Sequence, residues 1–162
     1  MVVMAENEVL NPDINAGELH QRMHRGNFRI RENVEKIFDK LSTLEFMMLR
    51  MITKMIDETE EKDRVYLKDV AERLKLQIPD VSKMAQKLSD KGLIIWTHDP
   101  AGEGGTYIQI TPAGSKAAEE QQKTLNKFYG SVINRFGGKK FEDLLQMMDE
   151  LGNIMEEEAG KL

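Results

Sequence analysis

VYLKDVAERLKLQIPDVSKMAQKLSDKGLIIWTHDPAGEGGTYIQIT, residues 65–111, decides the fold of this chain. After a short extended start at Val65 and Tyr66, apolar residues recur in two short runs at the spacing of one helix face. The first run is Leu67, Val70, Ala71 and Leu74, and the second is Val81, Met84, Ala85 and Leu88. Pro79 suits the first position of the second helix, and Gly92 suits the left-handed residue that ends it. Two matched short helices with a break of four residues at 75–78 predict a helix-turn-helix.

A β-hairpin is predicted directly after the second helix. Leu93 to His98 and Thr106 to Ile110 are rich in β-branched and aromatic residues, and they bracket a glycine-rich tip. A short strand, two helices and a hairpin in this order form a winged helix-turn-helix, a module whose second helix enters the major groove of DNA. We therefore predict a mainly α fold with a small β-hairpin wing and long helices at both ends.

Four further helices are predicted around this module. Apolar spacing favours a long amphipathic helix from Ile14 to Leu41. A helix from Thr43 to Ile56 begins after Ser42, because Glu45 three residues on completes a capping box, and the charged run DETEEKDR (57–64) then forms a solvated loop. Thr111 caps a helix that starts at Pro112 and ends before Gly137. A last helix spans about Lys139 to Glu158, with its inward residues predicted as Phe141, Leu144, Leu145, Met148, Leu151 and Met155.

The end helices carry longer apolar stripes than so small a winged module can cover. Large exposed apolar patches usually mark a partner surface, and a two-fold dimer with interleaved end helices would cover them. We predict one domain over residues 1–162, with a winged-helix DNA-binding lobe at about 43–111 and a helical dimerisation lobe at about 14–41 and 112–158. Paired modules would also read DNA half-sites about one helical turn apart.

Charge is distributed unevenly along the chain. The 162 residues carry 23 basic and 28 acidic side chains, which gives a net charge of −5, whereas residues 62–116 hold 9 basic and 7 acidic side chains. Because screening confines electrostatic attraction to about 10 Å at 0.1 M salt, the local positive balance permits phosphate binding. No apolar run approaches the length of a spanning helix and the first residues lack a signal-peptide pattern, so a cytoplasmic protein without membrane contact is expected.

Catalysis finds no support in the sequence. The absence of cysteine excludes a disulfide framework and a thiolate nucleophile. The chain has no phosphate-cradling glycine loop, no nucleophile elbow and no carboxylate pair with a defined acid and base. We therefore expect neither an enzyme nor a cofactor.

The order of these segments resembles the MarR family of bacterial and archaeal transcriptional regulators, over about residues 14–156. The segments that carry the resemblance are LSTLEFMMLRMI (41–52), LKDVAERLKLQIPDVSKMAQKLSDKGLI (67–94) and DPAGEGGTYIQITPAG (99–114). The last segment aligns with a family pattern in which Asp-Pro precedes an Asp-Arg-Arg run and Leu-Thr-x-x-Gly follows. The resemblance implies an obligate homodimer, a palindromic operator, and release by a small ligand that is often phenolic or anionic.

The chain departs from the family pattern on the surface that would face DNA. Residues 102–104, Gly-Glu-Gly, occupy the Asp-Arg-Arg positions, so the arginine that enters the minor groove and the aspartate that holds it are absent. Pro79 and Asp80 stand where the family has Ser or Thr. Asp80 would either accept a hydrogen bond from cytosine N4 or repel phosphate. Lys83 replaces the usual arginine, which keeps the charge but loses the bidentate guanidinium.

The predicted DNA contacts lie mainly on the second reading helix. These contacts lie at the start of that helix and on the face opposite its apolar stripe. They are Pro79, Asp80, Ser82, Lys83, Gln86 and Lys87. Weaker phosphate candidates are Lys68, Lys75 and Lys91, and the candidates on the wing are His98 and Thr106. A solvated surface without DNA contact remains the alternative for each of them.

Methionines on the second helix are the candidate contacts for a small effector. Met47, Met51 and Met55 lie there among the 11 methionines of the chain, and His24 is added from the first helix. Methionine side chains adapt to ligands of varied shape, although a helical core with flexible filler is the first explanation for them. His20 and His24 share one helix face at metal-ligand spacing, but no cysteine or nearby third histidine completes a site, so no metal is predicted.

Two functions agree with these patterns. The first is a homodimeric, ligand-responsive transcriptional regulator of MarR type that binds double-stranded operator DNA through the reading helix and wing. The second is a winged-helix dimer in which DNA binding is lost or weakened and which binds a protein or a small molecule. Asp80 and the arginine-free wing are the reasons to keep the second function open.

Overall fold

The computed structural model describes residues 15–60, 63–98 and 105–162. The contacts divide the chain after Asp39 into two compact units, of which the first contains α1 (Ala16–Glu35). The second unit contains, in order, α2 (Thr43–Glu58), β1 (Val65–Tyr66), α3 (Leu67–Leu74), α4 (Ile78–Asp90), β2 (Ile94–His98), β3 (Thr106–Ile110), α5 (Pro112–Phe136) and α6 (Gly138–Ala159). This order confirms the predicted winged helix-turn-helix. Within the described ranges no helix combines the length and the apolar character needed to cross a bilayer.

α1 is shorter than the helix that the sequence predicts. The side chain of Asn15 caps its first turn by accepting a hydrogen bond from the backbone N–H of Glu18 at 3.1 Å. After Glu35 the backbone bonding tightens, and the N–H of Phe38 reaches Glu35 O, three residues back, at 3.1 Å. The prediction that the helix continues to Leu41 is wrong, because Leu41 is buried within the second unit and does not extend the stripe of α1.

α2 begins where its capping box predicts. The N–H of Glu45 donates to Ser42 Oγ at 3.1 Å, and the N–H of Ser42 donates to Glu45 Oε2 at 2.9 Å. The helix continues to Glu58, two residues past its predicted end, because nothing in the charged run that follows breaks it. Part of this helix enters the core of the second unit, whose largest fully buried side chains are Met48, Leu49, Ile52, Val70, Val81, Leu88, Ile94 and Ile108.

A residue in the left-handed backbone conformation follows each helix of the helix-turn-helix, α3 and α4. Lys75 has a φ of 54° and ends α3, so a non-glycine residue takes this conformation between the two helices. Gly92 has a φ of 71° after α4, and the N–H of Leu93 returns to Leu88 O at 3.0 Å. Both turns satisfy carbonyl groups that the helix itself leaves without partners, and they fix the directions in which the chain leaves the helices.

α4 begins one residue earlier than predicted, at Ile78, so that Pro79 is its second residue. The carbonyl oxygen of Gln77 already accepts the N–H of Val81 at 3.2 Å, which makes Gln77 the N-cap. Proline is tolerated in the first turn because no intrahelical partner exists there for its missing N–H.

The three strands form one antiparallel sheet in the order β1-β3-β2. The pair of His98 with Thr106 lies at the end of the β2–β3 ladder that is nearest the wing tip. Side chains alternate across β3, so that Ile108 is fully buried while Tyr107 and Gln109 lie on the opposite face and remain partly exposed. The sheet therefore has one core face and one partly solvated face.

Thr111 joins the start of α5 to the end of α4. As the predicted N-cap, its Oγ1 accepts a hydrogen bond from the N–H of Gly114 at 3.0 Å, and its hydroxyl donates to Gly92 O at 2.7 Å. Gly114 lies so close to the backbone of Leu93 that a Cβ at this position would be 2.0 Å from Leu93 O. Only glycine fits here without movement of the backbone.

α5 and α6 extend beyond the winged core. They meet in an aromatic cluster, in which the ring centroid of Phe141 is 6.4 Å from that of Tyr129 and 6.3 Å from that of Phe136. The prediction that α6 buries its apolar stripe does not hold within one chain, since four of the six residues named for it are exposed: Leu145, Met148, Leu151 and Met155. The reason is length: α6 continues past the junction, and the described part of this unit does not bury the later turns.

Candidate nucleic-acid interface

α4 presents a polar face to solvent because its other face is packed into the core. Val81, Ala85 and Leu88 are buried at helical spacing and prevent the helix from rotating. The exposed residues of the helix that were predicted to contact DNA are Pro79, Asp80, Lys83, Gln86 and Lys87, which we call the reading face. The structure thus brings five of the six residues predicted on this helix together on its accessible side.

The remaining details of α4 modify the predicted contacts. Ser82 is half-buried on the flank of the helix. Gln86 Nε2 donates a hydrogen bond to Asp90 Oδ1 at 2.7 Å, so its amide would have to be released before binding a base. Asp80 lies in the first turn, where the helix dipole favours a negative charge. Ile78 is also exposed there, and the sequence missed it because the predicted helix began one residue later.

The C-terminal end of α4 is tied electrostatically to the beginning of α2. Lys91 Nζ lies 2.7 Å from Glu45 Oε2 and donates a second hydrogen bond to Lys40 O at 3.1 Å. Burial raises the pKa of Glu45, but hydrogen bonds from Lys91 and the Ser42 backbone, with the charges of Lys91 and Lys87, outweigh it and lower the pKa. Lys91, a weaker phosphate candidate in the sequence, therefore has a structural role. Lys87 is near enough to act on the same carboxylate.

The other predicted contacts lie on α3, in the turn after it and on the hairpin. Lys68 and Lys75 are exposed. His98 is exposed at the end of β2, and its partner in the sheet, Thr106, is half-buried. The departures from the family pattern at positions 102–104 lie outside the described residues.

A cationic side chain at the base of the wing was not predicted. The guanidinium of Arg64 lies over the ring of Tyr107, 4.7 Å from its centroid, and its Nε is 3.4 Å from Asp63 Oδ1. Asp63 Oδ2 in turn accepts a hydrogen bond from Gln109 Nε2 at 3.3 Å. Arg64 is the last residue of the charged run that was predicted as a solvated loop. Because such a run has no apolar periodicity, the sequence does not indicate which way its side chain faces. Asp63 is its neighbour in sequence, whereas Tyr107 is brought to it only by the fold.

The methionines of α2 do not line one surface. Met47 and Met51 border an open cleft of about 450 Å³, whose other lining residues are Phe46, Arg50, Thr53, Lys54, Asp57 and Leu74. Met55 is buried, because two steps of four residues turn the helix by about 80° from Met47. Met48 is fully enclosed, since it lies one residue and about 100° from Met47. His24, the fourth predicted contact, lies on α1 in the other unit.

His20 and His24 are adjacent on α1, as their spacing predicts. Their ring centroids are 6.4 Å apart and the rings are nearly parallel, with 19° between their planes. Within the residues that the structure describes, no group of three histidine, cysteine, aspartate or glutamate side chains is arranged to hold a metal ion. His20 and His24 are two neighbouring surface imidazoles.

Known structures share this architecture, whereas no protein-family model and no curated protein matches the sequence. The organohalide-sensing RdhR transcriptional regulator with bound 2,4-dichlorophenol matches with a TM-score of 0.70 at 18% identity, over 90% of this chain and 88% of that chain. A MarR family regulator from Neisseria meningitidis matches with a TM-score of 0.63 at 20% identity, over 91% and 99%. A mutant MarR from E. coli complexed with operator DNA matches with a TM-score of 0.64 at 12% identity, over 83% and 93%. The chain therefore has the fold of MarR-type transcriptional regulators.

Proposed function

We propose that this chain is a homodimeric DNA-binding transcriptional regulator of MarR type, which binds a palindromic operator through α4 and the wing and is modulated by a small ligand. The reading face is the observation that carries the proposal. It places two lysines and an amide on the accessible side of a helix whose other side is locked into the core. A solved protein of this fold is complexed with operator DNA, which supports the assignment. Such a regulator acts in the cytoplasm, where its DNA lies.

Four of the five residues of the reading face suit base contacts. Lys83 can donate to guanine O6 and N7, and the Gln86 amide matches adenine N6 and N7 once it leaves Asp90. Asp80 can accept from cytosine N4, and Pro79 offers an apolar contact to a thymine methyl group. Ser82, on the flank, can reach either a base or a phosphate oxygen.

The remaining predicted contacts suit the DNA backbone, which fixes position without reading sequence. Lys68 at the start of α3 and Lys87 late in α4 are exposed cations on both sides of the turn between these helices. On the hairpin, His98 and Thr106 lie where the described part of the wing ends. Together these groups would flank the groove that α4 enters.

The exposed apolar surface of α6 supports a dimer. It consists of Leu145, Met147, Met148, Leu151, Ile154 and Met155, which spread over three turns of the helix. A contiguous apolar surface of this kind usually marks a partner site, and a second copy of the chain is the proposed partner. The dimerisation lobe would comprise residues of about 14–41 and 112–158, and each copy would keep a winged-helix lobe of about 43–111. The two copies of α4 would then face major grooves about 34 Å apart.

The cleft beside α2 is the proposed effector site. Its volume of about 450 Å³ is within the range of small-molecule sites. Met47 and Met51 supply apolar contacts, and Arg50 and Lys54 supply positive charge for a phenolic or anionic ligand. The solved RdhR regulator holds 2,4-dichlorophenol. Met55 remains a proposed contact of this site, although it has to become accessible before it can take part. The contact predicted for His24, which lies on α1 in the other unit, stays a prediction.

A mobility-shift titration of the full chain against the DNA upstream of its own gene tests the proposal. We expect a dimer that shifts this DNA at about 50 mM salt, and a Lys83→Ala variant that binds at least several-fold more weakly. A matched control is Lys161→Ala, just beyond the end of α6, which should leave binding unchanged. A folded dimer that shifts neither this DNA nor genomic fragments would contradict the proposal.

A winged-helix dimer with lost or weakened DNA binding is the second candidate. Two carboxylates favour it: Asp80 is exposed on the reading face, and Glu103 replaces a family arginine in the wing sequence. Both would repel phosphate unless each finds a donor. Selection from random-sequence duplexes separates the two candidates, since a regulator enriches a palindrome and a protein-binding or small-molecule-binding module enriches nothing.

A further inference from the structure

The wing tip carries no positive side chain of its own. Residues 99–105 are DPAGEGG, with two acidic residues and no lysine or arginine. A wing that approaches the DNA backbone with only these residues would meet repulsion from phosphate. If the wing contributes favourably to binding, its positive charge has to come from another part of the sheet.

Arg64 is placed to supply that charge. Tyr66 pairs with Tyr107 and Val65 with Ile108, so β1 runs antiparallel to β3 and ends toward the wing tip. The Arg64 guanidinium lies over the ring of Tyr107, so the side chain extends along the sheet in the direction of the tip. Tyr107 faces away from the buried side of β3, which leaves the cation on the solvated face of the sheet.

The neighbours of Arg64 hold its guanidinium in place. The guanidinium carbon lies over the Tyr107 ring, 4.7 Å from its centroid, and Asp63 Oδ1 is 3.4 Å from Nε. Gln109 holds Asp63 through a 3.3 Å hydrogen bond, so the carboxylate is also fixed to β3. The Arg64 side chain remains 35% exposed. An arginine so supported loses less conformational freedom on contact with phosphate than an unsupported surface lysine.

We infer that Arg64 provides the positive contact of the wing with the phosphate backbone of duplex DNA, in place of a cation at the tip. Tyr107 is its positioning residue, and Asp63 weakens the contact by competing for the guanidinium. The inference rests on the proposed DNA-binding function. It assigns the contact to a residue outside the hairpin, ahead of β1.

Fluorescence anisotropy with a labelled duplex, titrated between about 50 and 200 mM salt, tests the inference in the full chain. Arg64→Met removes the charge and keeps much of the chain length, and its expected effect is a salt slope smaller by about one unit and affinity lower by up to about tenfold at 0.1 M salt. Arg73→Met is the matched control, because Arg73 is also exposed and paired with a carboxylate, Glu58, at 2.6 Å. It should leave slope and affinity unchanged.

Three further variants separate positioning from folding. Tyr107→Phe keeps the ring and should bind as the wild type does, whereas Tyr107→Leu removes the ring face and should weaken binding less than Arg64→Met does. Asp63→Asn should strengthen binding, a gain that damage to the fold would not produce. Equal salt slopes for Arg64→Met and Arg73→Met, with both variants folded, would overturn this inference but not the proposed DNA-binding function. A wild-type chain that binds no DNA, or that binds without salt dependence, would overturn the proposed function as well.

Discussion

Lys91, just after α4, lies 2.7 Å from Glu45 in the first turn of α2, measured from Nζ to Oε2. The same carboxylate closes the capping box of α2 through the N–H of Ser42. One buried group therefore fixes the start of one helix and the end of another, 46 residues apart in sequence. The ion pair that joins the two helices requires this carboxylate to be ionised.

Removal of the Glu45 side chain should destabilise the fold. Glu45→Ala loses the capping bond and leaves Lys91 without its carboxylate, so we expect the free energy of unfolding to fall by about 2–3 kcal/mol. Urea unfolding at neutral pH measures it. The control is Asp143→Ala, which breaks the exposed pair with Lys139 and should cost below about 1 kcal/mol. Similar small losses in both variants would show that the Glu45 contacts do not stabilise the protein.

Acid should remove the contribution of Glu45. Its pKa in the folded protein lies below the ordinary value of 4.5, so the unfolded chain takes up this proton at a higher pH. The stabilisation is complete above the unfolded pKa and is lost as the pH falls through the folded pKa. We expect the gap in unfolding free energy between wild type and Glu45→Gln to narrow from about pH 6 to about pH 3. A gap that stays constant over this range would contradict the assignment.

Gly114 should tolerate no side chain. An alanine Cβ would lie 2.0 Å from Leu93 O, a backbone atom that cannot rotate away, so Gly114→Ala should cost about 2–3 kcal/mol or more. Gly130→Ala on the same helix is the matched control, because nothing lies within 4 Å of the added methyl group. It should stabilise the helix by about 0.5–1 kcal/mol. Thermal unfolding followed by circular dichroism distinguishes the two, and equal melting temperatures would refute the close approach.

A charge on the exposed stripe of α6 should separate the proposed dimer. Leu151→Glu places a carboxylate in the apolar surface, so the two copies would have to bury it without a partner. We expect a folded monomer by light scattering, with DNA binding lost because two linked half-site contacts are required. Gln146→Glu, an exposed polar position on the same helix, should remain dimeric. If Leu151→Glu remains dimeric too, the second copy does not occupy this surface.

Local signals in the sequence predicted much of the fold. The capping box at Ser42 and Glu45 spans three residues, Thr111 is followed at once by Pro112, and Gly92 follows the last apolar residue of α4 within one turn. Each of these signals acts through atoms a few bonds apart, so their partners can be identified without the fold. The starts of α2 and α5 were therefore predicted to the residue.

The features of the fold and of the site that the sequence did not predict depend on contacts between residues far apart in sequence. The partner of Lys91 lies on another helix, so spacing alone could not reveal its ion pair with Glu45. The end of α1 was misplaced because Leu41 follows its apolar stripe in sequence yet is buried in the second unit. Arg64 was missed because its partner, Tyr107, is brought to it only by the pairing of β1 with β3.

The bond between Thr111 and Gly92 also bears on how the hairpin can be modified. This hydrogen bond joins the end of β3 to the turn after α4. Ile108, in the middle of β3, is buried in the core. Residues 99–104 thus join two strands whose far ends are already secured. Because exposed loop tips tolerate insertions best, we expect loops of other lengths and charges to be accepted between β2 and β3 without a change in the orientation of α4.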